Sequence, residues 1–379
     1  MKFQGIVNRF ISRYIIYTKV LQWINFDFLS FLGTGFNDFL KKFTDNAPYV
    51  EEDIDHNSLD RLNELGSKYL IEIDRNPINS GTISLVFTGT IFHNSEYKKV
   101  AIKVLRNGIH SKINDCIINF TWIFSYMKYI PVISGFNLDI LFSDVKESLY
   151  EQTDFAKEAN NILMFEKRLS KHKNIKPIKL IKELTFDNVI VMEFVEGKSV
   201  FKLNDEDKKI FSTKITSSLF YLKFKKCLFH LDLHPGNILM TNDKKITFLD
   251  LGMVLELSVD ECNFIIDFLD LFKTNNNVEE ILTRLFNTYS YLVFREKVSK
   301  ENFIKDIINS KPDIFVKKDN VSFVSDTKFL LYQLNELDCK LSKRINKIIF
   351  GIISFINIFI NLGEDMYSII AKNSEIYNK

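Results

Sequence analysis

Over the first 66 positions, apolar residues recur mostly at helical spacing, with a polar break at Asp45–Asn46–Ala47–Pro48 and an acidic run Glu51–Glu52–Asp53. From about Tyr69 the period shortens. Leu70–Ile73, Ile83–Thr88 and Val100–Leu105 are short, β-branched and bounded by turn residues, which predicts strands of one antiparallel sheet. Asn107 to His172 returns to the helical period, broken at Pro131. Val189–Phe194 predicts another strand, ended by Glu196–Gly197. Helices then dominate to the terminus, except for Ile238–Met240 and Ile246–Leu249, which Thr241–Lys245 separates as a hairpin. No internal repeat or low-complexity linker interrupts the chain. The pattern predicts an α+β protein with a helical N-terminal extension (1–66), a small β-rich lobe with a helical insert (67–195) and a larger helical lobe (196–379).

Composition narrows the classes. A chain of 379 residues is too long for one ordinary core and suits two lobes. Its 50 Lys+Arg against 48 Asp+Glu leave a net charge of +2, which argues against a nucleic-acid binder that must displace counterions from phosphates. Cys116, Cys227, Cys262 and Cys339 are far apart in sequence and form no C-x-x-C pair, so a disulfide framework or zinc site is not expected and a reducing compartment is. The six histidines show no metal-ligand spacing.

The ends raise the membrane question. Before Asp27 the chain carries Lys2, Arg9, Arg13 and Lys19 but no acid, with apolar residues near helical period. Residues 1–22 could therefore form a basic amphipathic helix that docks on the protein, lies on an anionic membrane surface or serves as a transit peptide. Ile348–Leu362 is apolar but shorter than the ~20 residues a bilayer span needs, and it contains Ser354, Asn357 and Asn361, so a buried core helix and no span are expected.

The chemistry concentrates in His230-Leu-Asp-Leu-His-Pro-Gly-Asn237, followed after the hairpin by Leu249-Asp-Leu-Gly252. Asn237 follows Asp232 by five residues, and Asp250 follows Asn237 by thirteen. Phosphoryl transfer needs a carboxylate that orients or deprotonates the acceptor hydroxyl, which suits Asp232. It also needs hard oxygen ligands for Mg²⁺ on the nucleotide phosphates, which suits Asn237 and Asp250. The spacing corresponds to the kinase pattern H-R-D-x-x-x-x-N with D-F-G, with Leu231 in place of Arg and Leu251 in place of Phe.

Upstream, Val100-Ala-Ile-Lys103 fits the strand whose lysine reaches the α- and β-phosphates. Aligned on Val86, a glycine-rich nucleotide loop would place glycines at 79, 81 and 84. The residues are Asn79, Gly81 and Ser84, so Gly81 alone remains. In Gln152-Thr-Asp-Phe-Ala-Lys-Glu-Ala-Asn160, Asp154 and Glu158 are spaced for one helical face, and Glu158 is the expected partner of Lys103. The backbone around Glu193–Val195, between the lobes, is placed to bond adenine.

Taken together, Val100–Ile109, Thr153–Asn160, Val191–Gly197, His230–Leu239 and Asp250–Val254 resemble the UbiB-type atypical kinase family, also called ADCK-like. The resemblance implies a two-lobe protein kinase-like fold, Mg-dependent ATP binding, and ATPase or small-molecule kinase activity. It also implies membrane-linked work on isoprenoid lipids, in particular coenzyme Q biosynthesis, with a mitochondrial or plastid location in a eukaryote. Three signatures of that family are altered. Its K-x-G-Q motif is expected near Asp38-Phe-Leu-Lys41 and is not there, its Ala-rich loop is replaced by Asn79–Ser84, and its E-x-D becomes Gln152-Thr-Asp154. Two competing readings stay open: an aminoglycoside- or choline-kinase-like phosphotransferase, and a membrane-associated pseudokinase scaffold that binds ATP without turning it over.

Overall fold

The computed structural model describes residues 14–17, 19–20, 47–69, 71–93, 95–127, 146–272, 277–289, 292–293, 300–317, 319–336 and 340–365. The first described helical residues are 15–17 and 19–20, and then comes helix α1 (His56–Gly66), capped by Asp55, whose carboxylate accepts from the Ser58 amide. Three long strands follow, β1 (Glu72–Ser80), β2 (Ser84–His93) and β3 (Glu96–Leu105), then α2 (Ile109–Met127) and α3 (Phe155–Leu169). The expected breaks at Asp45–Asn46 and Pro131 lie outside the described residues, as does the segment 38–41.

Strand β4 (Val189–Glu193) closes an antiparallel sheet of order β1-β2-β3-β4. Alternation sorts its faces. Leu85, Phe87, Val100, Ile102, Val104, Val189 and Val191 point outward and are buried under Leu59 and Leu62 of α1. Lys103, Ala101, Ile190 and Met192 face the other way, towards the cleft and the main core. Strand β1 runs well past the predicted Leu70–Ile73, through Pro77. As an edge strand it needs no amide from that proline, and its pairing with β2 shifts register between Asp74 and Asn79, on either side of it.

The second lobe begins with β5 (Gly197–Ser199) and α4 (Asp205–Lys226). Then come β6 (Leu228–His230), β7 (Ile238–Thr241), β8 (Ile246–Phe248) and β9 (Val254–Glu256). The expected hairpin is β7–β8, and β5 adds to its edge. The pairing of β6 with β9, which periodicity missed because each has only three residues, sets His230 opposite Val254. Helices α5 (Val259–Leu269), α6 (Val278–Thr288), α7 (Lys300–Ser310) and α8 (Asn320–Glu336) surround them, with a two-residue pair β10 (Leu292–Val293) and β11 (Lys340–Leu341). Many of the phenylalanines become edge-on core contacts here, such as Phe268 on Phe323 and Phe286 on Phe303.

Helix α9 (Lys343–Leu362) corrects one expectation. It starts earlier than the apolar run and has 20 residues, so by length and composition it could cross a membrane. Its burial argues the other way. Ile345, Ile348, Ile352, Ile356 and Phe359 are at most 1% exposed, and a Cβ at Gly351 would come within 2.6 Å of the Phe229 ring. The helix thus packs directly on the strand that leads into the His230–Asn237 loop.

Candidate active site

Lys103 is delivered to the cleft by strand alternation, opposite Val86 of β2 and Ile190 of β4. Its Nζ bonds both Glu158 oxygens, at 2.7 and 2.8 Å, and Asp250 Oδ2 at 2.9 Å. Glu158 comes from the first turn of α3. That helix is capped by Asp154, whose carboxylate accepts from the Lys157 amide at 2.8 Å. Asp154 is therefore the cap of the helix, one turn before Glu158, whose amide donates to the Asp154 carbonyl at 3.1 Å.

One ammonium thus serves two carboxylates. Burial works against the charge of Lys103, but Asp250 and Glu158 outweigh it and hold the lysine above its usual range. Glu158, 1% exposed, carries the strain: its burial, with the Asp250 charge added, outweighs the help of Lys103 and pushes its carboxyl up to about 7. Asp250 goes the opposite way. Partial burial pushes it up, yet Lys103 and the Gly252 amide, which donates to Oδ1 at 2.9 Å, hold it well below the carboxylate range. Its side chain is 38% exposed, the most open of the three.

The loop that carries Asp232 and Asn237 is fixed by the backbone around it. Leu231 N donates to Met253 O, Leu249 N donates to Asn237 O, and His230 Nε2 lies 2.7 Å from Asp250 O. Asn237 Nδ2 donates to the Asp232 carbonyl at 3.2 Å, which turns its amide oxygen outward as a potential ligand. Asp232 is 30% exposed and has a partner unforeseen in the sequence: Lys19 Nζ, 3.7 Å away. Partial burial raises the Asp232 carboxyl, but Lys19 and then His234 pull it below its usual value.

Gly81 and Val86 occupy the roof. The turn after β1 is closed by Gly81 N to Ser84 O, and Arg106 grips it from behind through Ile83 O, Gly81 O and Ser80 Oγ. The same guanidinium, 1% exposed, bonds Pro48 O and Asp53, and Lys112 bonds the other Asp53 oxygen. At the lobe junction, Glu193 N donates to Lys179 O and Phe194 N to Lys99 O. The Glu193 side chain turns to Lys179, and Val195 is 9% exposed.

Lys103, Glu158 and Asp250 are in direct contact, with Asp232 and Asn237 on the adjoining loop. Three further residues escaped sequence reasoning. Asn161, one turn beyond Glu158, donates to Leu251 O at 2.7 Å and ties α3 to the Asp-Leu-Gly segment; its i, i+3 spacing from Glu158 was the available signal. Arg106 offered none beyond its place three residues after Lys103. Lys19 did: Lys19-Val-Leu-Gln22 keeps the first and last residues of the K-x-G-Q pattern sought near 38–41.

Asp250 and Asn237 offer the one or two hard oxygen ligands that Mg²⁺ takes from a protein when phosphates complete its shell. The donor set therefore fits magnesium, and among the described residues no group of three or more His, Cys, Asp or Glu suggests another metal centre.

Comparison with known proteins agrees with this geometry. Residues 42–287 match the ABC1 atypical kinase-like domain. An Arabidopsis thaliana chloroplastic protein named Activity of BC1 Complex Kinase 1 is 28% identical over 59% of this chain and 33% of its own. A protein from Blochmanniella pennsylvanica described as a probable protein kinase UbiB is 26% identical over 48% of this chain and 35% of its own. The matched stretch thus spans about a third of those relatives. A Mycobacterium tuberculosis protein solved in complex with erythromycin has the same fold, at TM-score 0.53 and 16% identity, over 84% of this chain and 87% of that one. With two kinase-like lobes and the family match over all of the first and half of the second, the chain belongs to the ABC1 atypical kinase-like family, the UbiB or ADCK-like kinases.

Proposed function

We propose that the protein binds ATP with magnesium in the cleft between its lobes and transfers or hydrolyses the γ-phosphate. The observation that carries this reading is the three-way contact of Lys103 with Glu158 and Asp250, which joins strand, helix and Asp-Leu-Gly segment at one charge. Val86 and Ala101 would cover the adenine. Since the amides of Glu193 and Phe194 are already bonded, Val195 and the Glu193 carbonyl are left to meet the base. Lys103 keeps a positive charge where phosphate oxygens would lie, and Glu158 holds it there. Asp250 and Asn237 would hold the magnesium, which when bound supplies positive charge against the transferring phosphate.

Asp232 orients the acceptor hydroxyl or water. Its lowered pKa makes it a weak base, which suffices because a loose phosphoryl-transfer transition state asks for positioning more than for early proton removal. The acceptor is an isoprenoid-lipid precursor or another small molecule, and a link to coenzyme Q metabolism follows from the family resemblance. Relatives described as chloroplastic support a plastid location if the source is a eukaryote, and a peripheral membrane site through residues 1–22 belongs to the same proposal.

Thermal unfolding with and without MgATP tests the binding step. A ligand at ~100 times its dissociation constant stabilises the native state by about 2.7 kcal/mol. The shift is expected to require magnesium and to be lost in Asp250→Asn. Its absence at millimolar MgATP would sink the proposal. A second reading, an ATP-binding scaffold without turnover, is favoured by the Lys19–Asp232 contact, which sets a cation beside the acceptor-orienting carboxylate. A shift without phosphate release would select it.

A further inference from the structure

Cys227 and Cys262, distant in sequence, meet in the second lobe. Cys227 is the left-handed C-cap of α4, with φ 52°, and Cys262 lies in the first turns of α5. Both converge on one oxygen: Cys227 N donates to Lys223 O at 3.1 Å, and Cys262 Sγ donates to the same oxygen at 3.8 Å. The two thiols are thus neighbours, close enough for Cys227 to act on the Cys262 thiol. Backbone holds this arrangement in place. Cys227 O accepts from Leu257 N at 2.7 Å, Leu228 pairs with Glu256, and α5 is capped by Ser258 and Glu261. The proximity therefore comes from the β6–β9 frame and does not depend on side-chain rotamers alone.

We propose that Cys227 and Cys262 form a peroxide-sensitive dithiol, a reversible modification site that closes by a disulfide. Exposure makes the two thiols unequal. Cys227 is open to solvent, whereas Cys262 is 9% exposed and burial pushes its thiol up to about 11. Peroxide reaches Cys227 first: the thiol sulfur takes one oxygen, giving a sulfenic acid and one water. Cys262 sulfur then attacks the Cys227 sulfur, the S–O bond breaks, and the hydroxyl leaves as a second water with the Cys262 proton. Two thiols lose two electrons, and one peroxide accepts them. The bridge closes residues 228–261, the loop that contains Asp232, Asn237 and Asp250. The chemistry does not depend on nucleotide turnover.

The test uses the full chain treated with a small excess of hydrogen peroxide at neutral pH, then alkylated and mapped by mass spectrometry. The expected product has lost two hydrogens, joins the Cys227 and Cys262 peptides, and returns to the starting mass with dithiothreitol. Its thermal midpoint rises by about 5 °C, as constraint of a loop this long predicts for a chain of this size. Cys227→Ser and Cys262→Ser each abolish the bridge, and Cys116→Ser leaves it. Should Cys262→Ser fail to fold, Cys227→Ser and the peptide map decide alone. Oxygen added to Cys227 without a bridge, a bridge to Cys116 or Cys339, or a Cys227 bridge between two chains would each overturn the proposal.

Discussion

Two buried charge clusters sit three residues apart on one strand end, and they are built on opposite principles. Around Lys103, one cation meets two carboxylates, and one of these, Asp250, is open to solvent. Around Arg106, two cations meet one carboxylate: Asp53, 1% exposed, is bonded by Arg106 and Lys112. The guanidinium also satisfies carbonyls at Pro48 and Gly81 and the Ser80 hydroxyl. The first cluster is unevenly charged and partly open, as a site that must accept new ligands requires. The second is closed and saturated with fixed partners, which suits a joint that holds the phosphate-side turn to the 47–53 segment.

The sharpest break is Arg106→Met. It strips the guanidinium from the buried Asp53 carboxylate, which keeps Lys112 and the Val50 amide, and should cost about 4 kcal/mol in denaturant unfolding, because an incompletely paired buried charge remains. If Lys103→Met proves equally destabilising, the distinction between the clusters collapses. That variant should instead lose about 100- to 1000-fold in phosphate release with a smaller loss of stability, since Glu158 can take up a proton when its partner is gone.

Protonation sharpens the same contrast. The Glu158 carboxyl, raised by burial to about 7, binds a proton in the folded state at pH values where the unfolded chain has released it. Its contribution therefore falls as pH rises from about 4.5 to about 7. Over that window the wild type should lose up to about 3 kcal/mol relative to Glu158→Gln, read as the difference between their pH–stability curves. Parallel curves would mean that Lys103 compensates Glu158 fully. The smallest effect is at the cap: Asp154→Ala should cost about 1 kcal/mol, measured by denaturant unfolding, and leave turnover nearly intact. A collapse of activity there would give Asp154 a role beyond the cap.

Local signals were readable where one face of an element is buried. Strands at Ile83–Thr88, Val100–Leu105 and Val189–Phe194 are mostly apolar and rich in β-branched residues, and each overlaps an observed strand. The site's ordered oxygen-bearing side chains were legible for a different reason: Asp232, Asn237 and Asp250 sit at fixed spacing in one short stretch. Strand β1 was harder, because Asp74, Arg75, Asn76 and Pro77 carry no apolar alternation, and it is a strand only because β2 pairs with it. The capping role of Asp154 was not legible, because spacing by four does not say where a helix begins. In α9 the apolar run understated the helix, since Lys343 and Lys347 keep their charges on Glu147 and Glu151 outside the apolar face.

What the sequence determined by itself was the order of elements, the two-lobe class and the residue types for phosphate chemistry, because each follows from periodicity or from spacing within one segment. What only the tertiary structure decided was partnership over long separations. Lys19 on Asp232, Arg106 on Asp53 and Gly81, Asn161 on the Leu251 carbonyl, and Cys262 beside Cys227 all join segments that no periodicity links. A hydrogen bond or ion pair acts over a few ångströms, so its partners are chosen by how helices and sheets pack, and packing is a property of the whole chain.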